Sequence, residues 1–99
     1  MSTQVMNKTI ADYFKTQPVL KAWLFGSFAR GEETSASDVD LLVQFDENAR
    51  VSLLKHAAMI NELEALLGHT VDIVPEKNLR PGIADSVNHD RKLIYERTS

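Results

Sequence analysis

The sequence predicts a small α/β domain with helices packed against a short sheet, and three observations carry that prediction. Apolar residues recur at three- and four-residue spacing over residues 51–67, as on one face of a helix. Compact apolar runs at residues 19–25, 39–45 and 70–74 are bounded by Gly, Pro or polar residues and read as strands. The two patterns alternate along the chain, an order that belongs to layered α/β domains.

Taken in order, residues 4–16 place Val5, Ile10, Tyr13 and Phe14 at helical spacing, and Pro18 stops that helix. Val19 to Phe25 forms the first buried strand, ended by Gly26, with Trp23 and Phe25 read as core. Residues 27–33 suit a short helix, and residues 33–37 a polar connection. In the second strand, alternation puts Val39, Leu41, Val43 and Phe45 on one face. Asp38, Asp40, Leu42 and Gln44 take the other. The long helix offers Leu53, Leu54, Ala57, Ile60, Leu63, Leu66 and Leu67 as its apolar stripe, and Gly68 is its natural stop. Pro75 closes the third strand, Pro81 opens a last short helix, and residues 92–95 form a short strand or a helical turn.

With 99 residues the chain makes a single domain, residues 1–99, with a small core. Apolar content of 43% and charged content of 25% exclude disordered and fibrous classes. No apolar run approaches the length of a membrane span, and residues 1–8 lack the pattern of a signal peptide. The absence of cysteine excludes a disulfide framework and a thiolate zinc site, and with the missing signal it points to the cytoplasm. A net charge of −3 with scattered Lys and Arg argues against stable nucleic-acid binding. An acidic domain can still hold a polyphosphate when a divalent cation lies between the two anions.

Three segments interrupt apolar strands with residues a core would not choose. Gly26-Ser27 ends the first strand at a helix start, where close backbone approach, free amides and a hydroxyl suit a phosphate. A plain turn and N-cap would look the same. Asp38 and Asp40 lie on one strand face, with Cα atoms roughly 6.5–7 Å apart. Two carboxylates so close repel unless a cation separates them, and oxygen ligands of this kind suit Mg²⁺. Asp72, the only charge in residues 71–74, suits a solvent-facing edge position or, if the third strand pairs beside the second, the same side as Asp38 and Asp40.

Gly26-Ser27, ten residues, then Asp38-Val39-Asp40 resembles the signature of the DNA polymerase β-like nucleotidyltransferase superfamily. Chance would produce this spacing in 99 positions with odds of roughly one in a thousand. The fuller strings Gly26-Ser-Phe-Ala-Arg-Gly31 and Ser37-Asp-Val-Asp-Leu-Leu-Val43 are similar to its minimal nucleotidyltransferase (MNT) branch, and Val71-Asp72-Ile73-Val74 matches that branch's third carboxylate. The resemblance implies the minimal nucleotidyltransferase fold, a short mixed sheet flanked by helices. It also implies transfer of AMP from ATP to a tyrosine of a partner HEPN ribonuclease toxin, with antitoxin activity as the result and a hetero-oligomer as the assembly. The chain leaves no residues for a second, acceptor-gripping domain, as expected where the acceptor is a folded partner.

In such a transfer a hydroxyl attacks the α-phosphorus and pyrophosphate leaves, helped by two Mg²⁺ ions. Asp38 and Asp40 would bridge the metals, and Asp72 would hold the catalytic one and accept the hydroxyl proton. Ser27 and the amides near Gly26 would hold the terminal phosphates. Arg30, one helical turn beyond Ser27, can reach a phosphate or pair with Glu32, Glu33 or Asp38. His56, His69 and His89 show no metal-ligand spacing, and His56 suits the helix surface. Tyr95 fits either the core or a partner contact. Two alternatives stand beside the enzyme that modifies a protein: an antitoxin acting by contact alone, and a transferase acting on a small molecule.

Overall fold

In a computed structural model, which describes residues 2–98 with the side chains of Ile83, Ala84 and Ser86 excepted, the chain begins with helix α1 (Thr3–Phe14). Ser2 caps it, its Oγ accepting from the Val5 amide at 3.2 Å. Met6, Ile10 and Phe14, spaced four apart, form its buried stripe, and Val5 is exposed instead. Strand β1 (Val19–Phe25) follows, then a single helical turn α2 (Ser27–Arg30) and strand β2 (Val39–Phe45). Helix α3 (Leu53–Leu67) leads to β3 (Val71–Pro75), a 3₁₀ turn (Glu76–Asn78), α4 (Pro81–Asp90) and β4 (Lys92–Glu96).

The sheet order is β3-β2-β1-β4, with β2 and β3 parallel and the other two pairs antiparallel. This is the mixed sheet that the sequence led us to expect, and residues 92–95 resolve to a strand rather than a helical turn. One face carries the core. Val39, Leu41 and Val43 of β2, Val71 and Ile73 of β3, and Ala22 and Leu24 of β1 pack there with the stripes of α1 and α3. A register shift between Val19 and Lys21 lets Val19 join the same face despite its odd spacing.

Two expectations change. Trp23 and Phe25 lie on the opposite face, outside the core cluster, and the Arg91 guanidinium sits 4.6 Å from the Trp23 ring centroid. On α3 the buried stripe is Met59, Leu63 and Leu67, while Leu53 and Leu54 are 89% and 84% exposed and Leu66 is half exposed. The periodicity was real, but it merged two faces of the helix, and only the stripe over the sheet is covered. Leu63→Ala should therefore cost about 2–5 kcal/mol in urea unfolding, whereas Leu54→Ser should change stability by less than about 0.5 kcal/mol. Equal effects of the two changes would refute this placement of α3.

No described helix is long and apolar enough to cross a membrane.

Candidate active site

Topology brings the unusual residues together. Because β1 and β2 are antiparallel, the end of β1 lies beside the start of β2, and Phe25 is the register partner of Asp40. Because β2 and β3 are parallel, Asp40 is in turn the partner of Asp72. Register partners share a face, so Phe25, Asp40 and Asp72 run side by side across three strands, opposite the core. Asp38 immediately precedes β2 at the same end and is exposed.

Local structure explains why each position holds. The connection from α2 is ordered by a Thr34–Ser37 turn: Ser37 Oγ accepts from the Thr34 amide at 2.8 Å, and the Ser37 amide donates to Thr34 O at 3.0 Å. The chain then enters β2 with the Val39 amide donating to Thr70 O at 2.8 Å, which joins the starts of β2 and β3. Two side chains of α3 hold β3 from its outer side. Glu64 Oε2 accepts from the Val71 amide at 2.9 Å, and His56 Nε2 lies 2.8 Å from Ile73 O. His56 also packs edge-on against Phe45, so it is a half-buried tether and not the surface residue expected. These two contacts bracket Asp72 and fix its strand.

Gly26 has φ +76° and ψ −155°, a conformation open to glycine and strained for any residue with a Cβ. A Cβ there would overlap Oδ2 of Asp40 and lie 3.3 Å from its Cγ. Backbone and carboxylate are thus in direct contact. The Ala29 and Arg30 amides donate back to Gly26 O at 3.1 and 3.2 Å, which leaves the Ser27 and Phe28 amides without an intrahelical acceptor.

Electrostatics single out Asp40. Partial burial raises its pKa above the ordinary carboxylate value, the Asp72 and Asp38 charges add to the rise, and Arg30 opposes it. None of the described ion pairs uses Asp38, Asp40 or Asp72. A cation placed between them would remove the repulsion that this geometry imposes. Among the described residues no three His, Cys, Asp or Glu side chains converge on one point. Mg²⁺ usually takes one or two carboxylates and completes its shell with phosphates and water, so the donor set fits a metal that arrives with a nucleotide.

Arg30 is half exposed and bonded to Asp90 at 3.0 Å and Glu32 at 3.4 Å. Of the partners considered from sequence, Glu32 is found; Asp90, at the end of α4, was not foreseen. His69 stacks edge-on against Phe28 at 5.4 Å between ring centroids, and Tyr95 belongs to the core.

Beside the carboxylates lies a cleft of about 310 Å³. The sheet contributes Phe25, Asp40, Asp72 and Val74, and the segment after β3 contributes Asn78, Leu79, Arg80 and Val87. None of these last four stood out in the sequence, because their common feature is position after β3 and not residue type. A larger groove of about 710 Å³ lies at the other end of the strands, near Phe45, Leu53, His56 and Pro75. Asp46 in that groove is already paired with Arg97 at 2.8 Å, and none of Asp38, Asp40 and Asp72 lines it. The smaller cleft is the chemical candidate.

Comparison with known proteins agrees with the fold. The family model described as "Nucleotidyltransferase domain" matches residues 7–94. A protein adenylyltransferase, MntA, of Thermococcus cleftensis is 47% identical over 72 residues, covering 73% of this chain and 69% of that protein. The fold superposes on a crystal structure of a toxin–antitoxin with AMP-PNP (TM-score 0.78, 18% identity, 93% of this chain and 74% of that one). It also superposes on a complex of a tri-AMPylated Shewanella oneidensis HEPN toxin with MNT antitoxin (TM-score 0.74, 16% identity, 97% and 74%).

Proposed function

The chain belongs to the nucleotidyltransferase domain family, and from that premise we propose that it transfers AMP from ATP to a tyrosine of a partner HEPN-domain toxin and so acts as its antitoxin. The observation that carries the proposal is the alignment of Phe25, Asp40 and Asp72 across three strands at one end of the sheet, with Gly26, just past β1, against the Asp40 carboxylate. A phosphate-accepting turn stands at one side of that row and a carboxylate able to take a proton at the other.

The roles follow from position. Ser27 and the open amides of α2 receive the terminal phosphates. Asp38 and Asp40 would hold Mg²⁺ together with the nucleotide. When bound, the ion neutralises charge on the phosphates and makes the entering hydroxyl more acidic. The acceptor oxygen forms a bond to the α-phosphorus, the bond to the β-phosphate oxygen breaks, and pyrophosphate leaves. Asp72 accepts the hydroxyl proton. Arg30 offsets negative charge near Asp40 and, freed from Asp90, can reach a phosphate. The relatives' names support protein as the acceptor class, and the complexes of like fold support a folded toxin as partner. A hetero-oligomer in the cytoplasm is the setting that this reading requires.

The test is to incubate the purified protein with a candidate HEPN-domain toxin, Mg²⁺ and each nucleoside triphosphate, and to record intact masses. The expected result is a gain of one or more AMP units on the partner, abolished by EDTA. A stable complex that gains no mass with any nucleotide would replace the transferase reading with inhibition by contact.

A further inference from the structure

Helix α4 borders the carboxylates without being rooted in the core. Val87 is buried and walls the cleft that Asp40 and Asp72 share, yet no described side chain of α4 belongs to the core cluster. The helix also starts without a side-chain cap at Arg80. Its described side-chain anchors lie at its C-terminal end. Asp90 pairs with Arg30 of α2 at 3.0 Å. Arg91, just beyond the helix, pairs with Glu76 at 3.3 Å and lies over the Trp23 ring. Since β4 begins at the next residue, Arg91 is the fixed point from which α4 extends. We propose that the Arg30–Asp90 pair is a latch that the nucleotide opens: the triphosphate takes Arg30 from Asp90, and α4 loosens beside the carboxylates about the Arg91 anchor.

The proposal rests on the transferase reading for the place of the nucleotide and adds how the site responds to it. Arg30 is already engaged twice, its Nε by Glu32 at 3.4 Å and its Nη1 by Asp90 at 3.0 Å. A guanidinium grips a phosphate through two adjacent N–H groups, either Nε with Nη2 or the two Nη together. Each of those faces has one donor taken, so a two-bond grip requires the release of one carboxylate. Asp90 belongs to the helix that walls the cleft, and Glu32 does not line it, so the face shared with Asp90 is the one a nucleotide beside Asp40 meets. The Arg30 charge opposes the rise in the Asp40 pKa, which puts the guanidinium within electrostatic reach of the site. Magnitudes favour release. The pair is only partly shielded, with Arg30 43% and Asp90 19% exposed, and such a pair shifts an equilibrium by about fivefold at most. A triphosphate sets several charges against the single one of Asp90, and its arrival repels that carboxylate.

The experiment uses AMP-PNP with Mg²⁺ as the probe and needs no partner. Calorimetry gives its affinity, and hydrogen exchange read by mass spectrometry follows the α4 amides with and without it. In wild type, α4 should exchange about two- to fivefold faster once AMP-PNP is bound. Asp90→Asn should bind AMP-PNP about two- to fivefold more tightly, because the competing charge is gone, and its α4 should exchange fast in both states. Asp90→Glu, which keeps the charge, should return both values to within about twofold of wild type. Arg91→Gln removes the other anchors without touching Arg30, so its α4 should loosen with no gain in affinity. That variant separates competition for Arg30 from a helix that is merely looser. Slower or unchanged exchange of α4 on AMP-PNP binding would overturn the proposal. So would an equal affinity gain in Arg91→Gln, or a gain in Glu32→Gln that Asp90→Asn does not share. Any of these results with AMP-PNP bound leaves the transferase reading standing. AMP-PNP that binds while no partner is modified sinks that reading alone, and the latch is still decided by affinity and exchange. AMP-PNP that does not bind removes both.

Discussion

Asp40→Asn should lower AMP transfer on the order of 10³-fold while making the metal-free protein more stable. The two effects share one cause. Asp40 is half-buried between two other carboxylates, an arrangement unfavourable for a charged side chain on its own and favourable for one that shares a cation. The amide keeps the shape and removes the charge. Because the folded-state pKa is raised above the unfolded one, Asp40 favours folding at low pH, and that contribution is lost as pH rises through the folded value. The advantage of Asp40→Asn in EDTA should therefore be absent near pH 3 and full at neutral pH. Solvent screening limits it to less than the ~4–8 °C that 1 kcal/mol is worth in a domain of this size. Melting curves across pH in EDTA, beside transfer assays in Mg²⁺, measure both. A variant as active as wild type would remove Asp40 from the mechanism, and one no more stable at neutral pH would contradict the crowding of carboxylates.

Gly26→Ala should damage the same site from the backbone side. The new methyl group would overlap Oδ2 of Asp40, and φ +76° would be strained whatever the space. The cheaper escape is for the Asp40 side chain to swing away, since β1 is held by neighbours on both sides. The cost then falls on function: displacement of a reacting group by about 1 Å can lower rate by ~10². Stability should drop by about 1–3 kcal/mol from the strain. Gly31→Ala is the control, because Gly31 has φ +72° with nothing within 4 Å of its added Cβ. That variant should lose stability and keep transfer. Loss of activity in both would mean that strain in the α2 region, and not the contact with Asp40, is the cause.

Legibility from sequence followed residue chemistry. Gly26, Asp38, Asp40 and Asp72 were visible because charge and glycine are costly in apolar strands, so their presence demanded a reason. The three strand runs were visible for the complementary reason, being apolar and clearly punctuated. Failures came where chemistry was ambiguous. Leu53 and Leu54 are as apolar as Leu63, and only the placement of α3 over the sheet tells which are covered. By residue type Trp23 and Phe25 suit the core, but strand alternation sets them opposite Ala22 and Leu24. The second face of the sheet is partly dry: Leu42, predicted beside Asp40, is fully buried there. The residues after β3 reach the cleft through a 3₁₀ turn and α4, a path with no strong periodic signal.

The grip of Glu64 and His56 on β3 has a consequence for assembly. A strand at the border of a sheet ordinarily offers a template on which a second chain can continue the ladder. Here the outward Val71 amide is already taken by Glu64 and the Ile73 carbonyl by His56, so extension on that border is hindered beside Asp72. A partner that adds a strand is directed to β4, three strand spacings or about 14 Å from the strand of Asp72. Such a partner can anchor at one margin and lay its acceptor across the open face, leaving the reacting end of the sheet free to admit nucleotide.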